Sequence, residues 1–341
     1  MTETVPQEMT DLVEPQQAAT DRLMDLPNVT GVALGHKITD GTDTGRRAIT
    51  VLVERKLPRD LLAPGEEVPE SVDGVPTDVQ EVGRLEAGGP VLDDVQVPTA
   101  DELEQMVGTE RATAQSLRAR VRPVRGGHSV GHFRVTAGTM ATACYDLSPF
   151  PAVPSRYYLL SNNHVLANSN AASVGDPVLQ PGRVDGGTVG PDTVARLSRW
   201  VPIRFHSGSE RPLNYVDAAI AEGDLADLDR SVYWVGTVKR LYSAPSVGDV
   251  VQKTGRTTGF TTGRVTNVNA TVDVNFGGGR VARFARQIIT SAMSAGGDSG
   301  SLVTDLDEGG VGLLFAGSSQ ATILNNLAFV QSLLRVRITE H

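Results

Sequence analysis

Cysteine is nearly missing from this chain: Cys144 is the only one in 341 residues. No intrachain disulfide can form, so core burial has to hold the fold, which this length allows. Such usage fits a reducing compartment. Aromatic residues are scarce, at 5%. Positive charge is in deficit, with 31 Lys and Arg against 40 Asp and Glu and a net charge of −9. That excludes a global cation designed to wrap nucleic acid or coat anionic lipid. No run of 18 apolar residues occurs, so no membrane span is expected. The opening MTETVPQEMTDLVEPQQ has no basic n-region and no apolar h-region. The expectation is therefore no signal peptide and a cytoplasmic location.

Glycine and proline are plentiful, 36 and 19 residues, as short strands joined by turns require. The chain reads as a flexible N-terminus (1–19), a small α+β domain (20–84), a connector (85–120) and a strand-rich region (121–341). Periodicity after Pro15 predicts an amphipathic helix with Ala19, Leu23 and Met24 on one side. Val29–Leu34, Ala48–Glu54 and Val75–Val82 read as strands, and Asp101–Met106 as an acidic helical stretch. Twelve strand candidates lie between Ser129 and Ala316, one of them Val232–Arg240. Their turn-punctuated spacing argues for barrels or sandwiches. Leu327, Val330, Leu333 and Leu334 at helical spacing predict a terminal helix over Asn326–Val336.

Three local signals carry chemistry. YYLLSNNHVLA ends an apolar strand at His164, NYVDAAIAEGD sets Asp217 at the head of another, and SAGGDSGSLV holds Ser299 in a glycine-rich turn. A serine hydroxyl needs a base to become a good nucleophile. A neutral histidine, with an unperturbed pKa of ~6.5, serves near pH 7. A buried carboxylate fixes the histidine tautomer and stabilises the imidazolium. Glycines around Ser299 let the N–H groups of Gly297 and Ser299 form an oxyanion hole. The order His164…Asp217…Ser299 differs from the Ser…Asp…His and Asp…His…Ser orders, and the turn lacks G-x-S-x-G. Taken singly, a histidine at a strand end, an aspartate at a strand head and a GDSGS turn are commonplace. Asp185, Asp192 and Asp224 rival Asp217, which is preferred because VDAAIA shields it.

Residues 121–338 resemble the trypsin-like, chymotrypsin-fold serine peptidases. GGDSGSLV is similar to the family's Gly-Asp-Ser-Gly loop, LLSNNHVLA to its Thr-Ala-Ala-His loop, and VDAAIA to its Asp-Ile-Ala strand. The N-terminal region and TGRTTGFTTGRV (254–265) resemble a narrower group, the bacterial relatives of the plant narrow-leaf serine peptidases. The resemblance implies a mainly β fold, a double six-stranded β-barrel of the chymotrypsin type with a C-terminal helix (barrels at about 121–228 and 229–341), behind the small α+β domain. It implies a serine endopeptidase with catalytic His164, Asp217 and Ser299, acting on a protein or peptide substrate, with a homo-oligomer among its possible states. Met293, six residues before the serine, would lie at the base of the S1 pocket. Phe315, Ala316 and Gly317 would pair with substrate and leave that pocket open, which suits an apolar P1 residue. Some 120 residues precede the barrels, so Asp298 is expected to be paired internally, without a zymogen cut near Arg125-Gly126.

Other readings stand beside this one. A binding or assembly module on the same fold, with weak or no turnover, is the alternative; self-cleavage with the same triad is a narrower one. His128 and His132 lie four apart in the non-helical GGHSVGHF, and no H-E-x-x-H, cysteine cluster or P-loop ending occurs. No metal or cofactor is expected. Arg118, Arg120, Arg122 and Arg125 form a basic patch suited to solvent or to an acidic surface.

Overall fold

The computed structural model describes residues 4–88, 117–147, 154 and 156–340. After a 3-10 turn over Gln7–Leu12, α1 (Val13–Met24) carries Pro15 in its first turn, where the missing N–H costs little. Its face of Ala19, Leu23 and Met24 is buried, as the periodicity predicts. Buried Gln16 donates to Val32 O (3.2 Å) and Asn269 O (2.8 Å). The expectation of a flexible terminus over 1–19 is corrected from Gln7 onward. Met9 and Leu12 are buried in the same apolar cluster as Leu23, Leu34 and Val268, so this stretch is anchored by its own hydrophobic side chains.

β1 (Val29–Thr39) and β2 (Thr42–Val53) form a hairpin, and β3 (Val75–Glu81) runs parallel to β2. The last six residues of β2, AITVLV, are all buried, which explains their unbroken apolar run. β4 (Glu86–Ala87) follows. The rest of the expected connector to residue 116, with the helical stretch 101–106, lies outside the described residues.

The first large sheet holds β5 (Ser129–His132), β6 (Gly138–Thr139), β7 (Thr142–Asp146), β8 (Tyr157–Ser161), β9 (Pro177–Leu179), β10 (Thr193–Trp200) and β11 (Ala219–Gly223). A one-turn helix, α2 (Asn163–Leu166), leaves the end of β8. The second sheet holds β12 (Val250–Gly255), β13 (Gly259–Asn275), β14 (Val281–Ser291), β15 (Leu302–Thr304), β16 (Gly309–Gly317) and β17 (Ala321–Asn326). These six pair in the ring β14-β17-β16-β15-β12-β13, and β13 pairs back to β14 to close it. Full closure removes sheet edges. The chain ends with α3 (Leu327–Leu334) and β18 (Val336–Arg337). Asn326 caps α3 by accepting from Ala328 N–H at 3.0 Å. Leu327, Val330 and Leu334 are buried, whereas Leu333 is 47% exposed.

The fold is mainly β with a C-terminal helix, as expected. Three details differ. The first sheet runs β18-β7-β8-β11-β10-β9-β5-β6, so it borrows a strand from the C-terminus, and among the described residues no pairing closes it. The long β13 also pairs with β1, so residues 29–81 continue the second sheet rather than forming a separate layer. The strand expected over Val232–Arg240 is broken by a turn with positive φ at Trp234 and Gly236.

Candidate active site

The apolar core of β8, with Tyr158, Leu159 and Leu160 buried, delivers α2 to the junction of the two sheets. Leu166 N–H donates to Asn162 O at 2.9 Å and closes the turn. Asn163 Nδ2 donates to Asn170 Oδ1 and to Val201 O, both at 2.8 Å. Between them stands His164, its side chain 13% exposed. Its Nδ1 lies 2.5 Å from Asp217 Oδ2, and its backbone N–H donates to Asp217 Oδ1 at 3.1 Å. One carboxylate thus grips both the ring and the main chain. The acceptor oxygen keeps the proton on Nδ1, leaving the Nε2 lone pair as the base.

Asp217, just before β11, is wholly buried. Its N–H donates to Asn325 Oδ1 (2.9 Å), and its carbonyl accepts from Asn162 Nδ2 (2.7 Å). Two of its rivals have other partners. Asp185 pairs with Arg256 at 2.5 Å, and Asp192 accepts from Thr188 N–H at 2.9 Å.

Ser299 lies on the other side of the junction. Thr139 N–H donates to its carbonyl at 2.7 Å. A Cβ on Gly138 would stand 2.5 Å from Val165, next to His164, and 2.9 Å from Ser299 O. Ser299 Oγ and His164 Nε2 are buried, and among the described residues neither has a hydrogen-bond partner. The structure therefore joins His164 to Asp217 by a direct bond and brings Ser299 to the same junction without one.

The serine turn is anchored through its carbonyls. Gly296 O accepts from Thr257 Oγ1 (2.7 Å), Gly297 O from Thr139 Oγ1 (2.9 Å), and Asp298 O from Ser301 Oγ (2.7 Å). In a trans peptide the N–H points away from the carbonyl before it. The N–H groups of Gly297 and Ser299 consequently face away from these anchors. Gly297 has φ of +95°, and a Cβ there would stand 2.6 Å from Arg256 Nη1 and Thr257 Oγ1.

Beneath the turn, Asp298 is wholly buried and its Oδ2 lies 3.2 Å from Lys253 Nζ, itself wholly buried on β12. The carboxylate also accepts from Thr257 N–H (2.9 Å), Thr258 N–H (3.2 Å), Thr258 Oγ1 (2.6 Å) and Ala295 N–H (3.1 Å). Lys253 further donates to Thr258 Oγ1 and Gly259 O. Burial holds the lysine ammonium below its ordinary pKa range, against the pull of Asp298.

Met293 is buried in the apolar cluster of Val265 and Leu314, while its N–H donates to Thr322 Oγ1 at 3.1 Å. Phe315 is turned into the core against Phe284, ring centroids 4.7 Å apart. Ala316 and Gly317 are not open to a partner, which corrects the expected free edge. Ala87 pairs with Ala316 and Glu86 with Gly317, because the chain itself returns along this edge.

Sequence reasoning missed several contributors. Asn325 also donates to Gln287 Oε1 at 2.7 Å, and two adjacent asparagines in the apolar run ILNNLA are its signal. Lys253 is a lone cation in VVQKTG. Phe276 sits edge-on to the His164 ring at 6.1 Å and has no local signal. Of the other histidines, His132 is paired with Asp176 at 3.0 Å, and His128 Nδ1 lies 3.1 Å from Arg125 O. Burial raises the Cys144 thiol to about 12.

No protein-family model matches the chain, and no curated protein matches its sequence. Solved structures do. Thermobifida fusca protease A is 17% identical, covering 63% of this chain and 98% of that one at a TM-score of 0.43. Cellulomonas bogoriensis chymotrypsin is 16% identical, covering 63% and 97% at 0.41. A Nocardiopsis protease is 19% identical, covering 63% and 97% at 0.42.

Proposed function

We propose that the chain is a serine endopeptidase of the chymotrypsin type. The observation that carries this reading is the buried His164–Asp217 pair, 2.5 Å long, whose Nε2, like the Ser299 hydroxyl, is buried without a hydrogen-bond partner among the described residues. His164 Nε2 takes the Ser299 proton as Oγ attacks the scissile carbonyl carbon. The N–H groups of Gly297 and Ser299 receive the oxyanion. His164 then gives the proton to the leaving amine, and the acyl-enzyme forms. Water, deprotonated by His164, attacks the ester carbonyl, and His164 returns that proton to Oγ as the C–Oγ bond breaks, freeing the acid product and Ser299. Asp217 stays ionised throughout and stabilises the imidazolium. Lys253 supplies the charge opposite Asp298 from within the chain, so the serine turn needs no new N-terminus. An apolar P1 residue suits the apolar surroundings of Met293.

The test compares wild type with Ser299→Ala on a denatured protein substrate and with a fluorophosphonate probe. Hydrolysis and labelling by the unprocessed wild type, and neither by the variant, is the expected result. A second reading, a binding or assembly module with weak turnover, is favoured by one observation: Ser299 is only 1% exposed. Silence of wild type toward the probe would favour that reading.

A further inference from the structure

The end of β16 that runs past its pairing with β15 offers a local edge, which is already engaged by a peptide, and the peptide is the chain's own. Gly317 pairs with Glu86 and Ala316 with Ala87, antiparallel, and Gly88 N–H donates to Phe315 O at 3.1 Å. One residue further back, Leu314 O accepts from Gly300 N–H at 2.8 Å, so this end of the edge abuts the serine turn. The segment 86–88 therefore runs toward Ser299 with its C-terminal end leading. That is the direction in which a substrate must run to bring a carbonyl to the serine.

The segment is held on its other side as well. Asn275 N–H donates to Leu85 O at 2.9 Å. Leu85 is buried in the cluster of Phe284, Phe315 and Ala316. Gly88 then takes φ of +92°, a region that L side chains rarely adopt. Gly88 is the residue that would otherwise present its carbonyl. The segment adds a strand as a bound peptide does, with main-chain bonds for affinity and an apolar anchor for register.

We propose that Leu85–Gly88 is a built-in pseudosubstrate: it fills the half of the peptide-binding cleft that precedes the scissile bond, and an extended peptide must displace it to reach Ser299. This rests on the serine endopeptidase reading, so the experiment uses two probes. A compact fluorophosphonate needs only Ser299. An acyl-Ala-Ala-Leu phosphonate ester also needs the β16 edge. Gly88→Pro cannot take positive φ and cannot donate to Phe315 O. Gly88→Ala is the milder variant, because its methyl would meet nothing within 4 Å among the described residues and only the backbone preference changes.

In full-length protein, both variants should react with the peptidyl phosphonate about tenfold faster than wild type, and with the compact probe at an unchanged rate. The peptidyl phosphonate should also abolish amide-exchange protection at Glu86–Gly88 in wild type. Equal peptidyl rates in all three proteins, or protection that persists after peptidyl labelling, would overturn the pseudosubstrate. Failure of the compact probe to label any of them would overturn the endopeptidase reading instead, and absent exchange protection at 86–88 would separately deny the pairing.

Discussion

Lys253 and Asp298 face each other at 3.2 Å with no solvent access to either side chain. The pair lies directly under the turn that carries Ser299, and four further donors converge on the same carboxylate. Removing one member of such a pair strands a charge in the interior, at about 3–5 kcal/mol. Lys253→Met should therefore lower both stability and Ser299 labelling, and Lys253→Met with Asp298→Asn should recover stability. Chemical denaturation and labelling rates, measured together, check this. Equal stability of Lys253→Met and wild type would contradict it.

The same pair sets an alkaline limit. Because burial lowers the folded pKa of Lys253, its charge is lost as pH rises toward a value below the ordinary ~10.4. Activity should fall reversibly through that value. Lys253→Arg, protonated throughout, should hold activity to higher pH. Superimposable alkaline limbs of kcat/KM for the two proteins would exclude this role.

Asp217→Asn keeps the volume of the side chain but permits an amide donor to face Nδ1, which favours the wrong histidine tautomer. Turnover should drop by about 10³–10⁴-fold with the fold intact. Circular dichroism beside single-turnover acylation distinguishes this from unfolding.

Asn325 holds the Asp217 N–H and the Gln287 side chain from a fully buried position. Asn325→Leu leaves two buried polar groups without partners and should cost about 2–4 kcal/mol. It should also reduce acylation, because Asp217 loses its tether. A urea midpoint equal to that of wild type would refute the first expectation.

His128 is buried edge-on to Tyr233, ring centroids 5.7 Å apart, and burial lowers its pKa. Below the unfolded value of ~6.5, the unfolded chain binds a proton that the folded chain does not. Its share of stability is thus complete above ~6.5 and declines as pH falls toward the folded pKa, by at most about 1.4 kcal/mol per pH unit. His128→Asn should flatten the fall in urea midpoint between pH 7 and 5. An unchanged slope would show that another group is responsible.

Much of the architecture is legible in local pattern. YLL (158–160) and the run AITVLV are buried strands because their apolar side chains have no other refuge. The period of Leu327, Val330 and Leu334 is the buried face of α3, while Leu333, one step off that face, is exposed. The strand expected over 232–240 fails for a local reason too, since Gly236 permits a turn that apolar content does not reveal. The union of residues 29–81 with the second sheet is not legible, because a long β13 able to pair with four strands looks, residue by residue, like any other strand.

The sequence alone determined the groups on which the proposed mechanism draws: one histidine, one shielded aspartate and one serine among glycines, in a fixed order, on strands whose patterning makes them cores. Only the tertiary structure decided the partners of those groups. Asp298 meets Lys253 across 45 residues, Asp217 meets Asn325 across 108, and Glu86 returns to Gly317 at the end of β16. Short-range propensity is written in neighbouring side chains, whereas a hydrogen bond between distant residues exists only once sheet register has set both ends within 3 Å or so of each other.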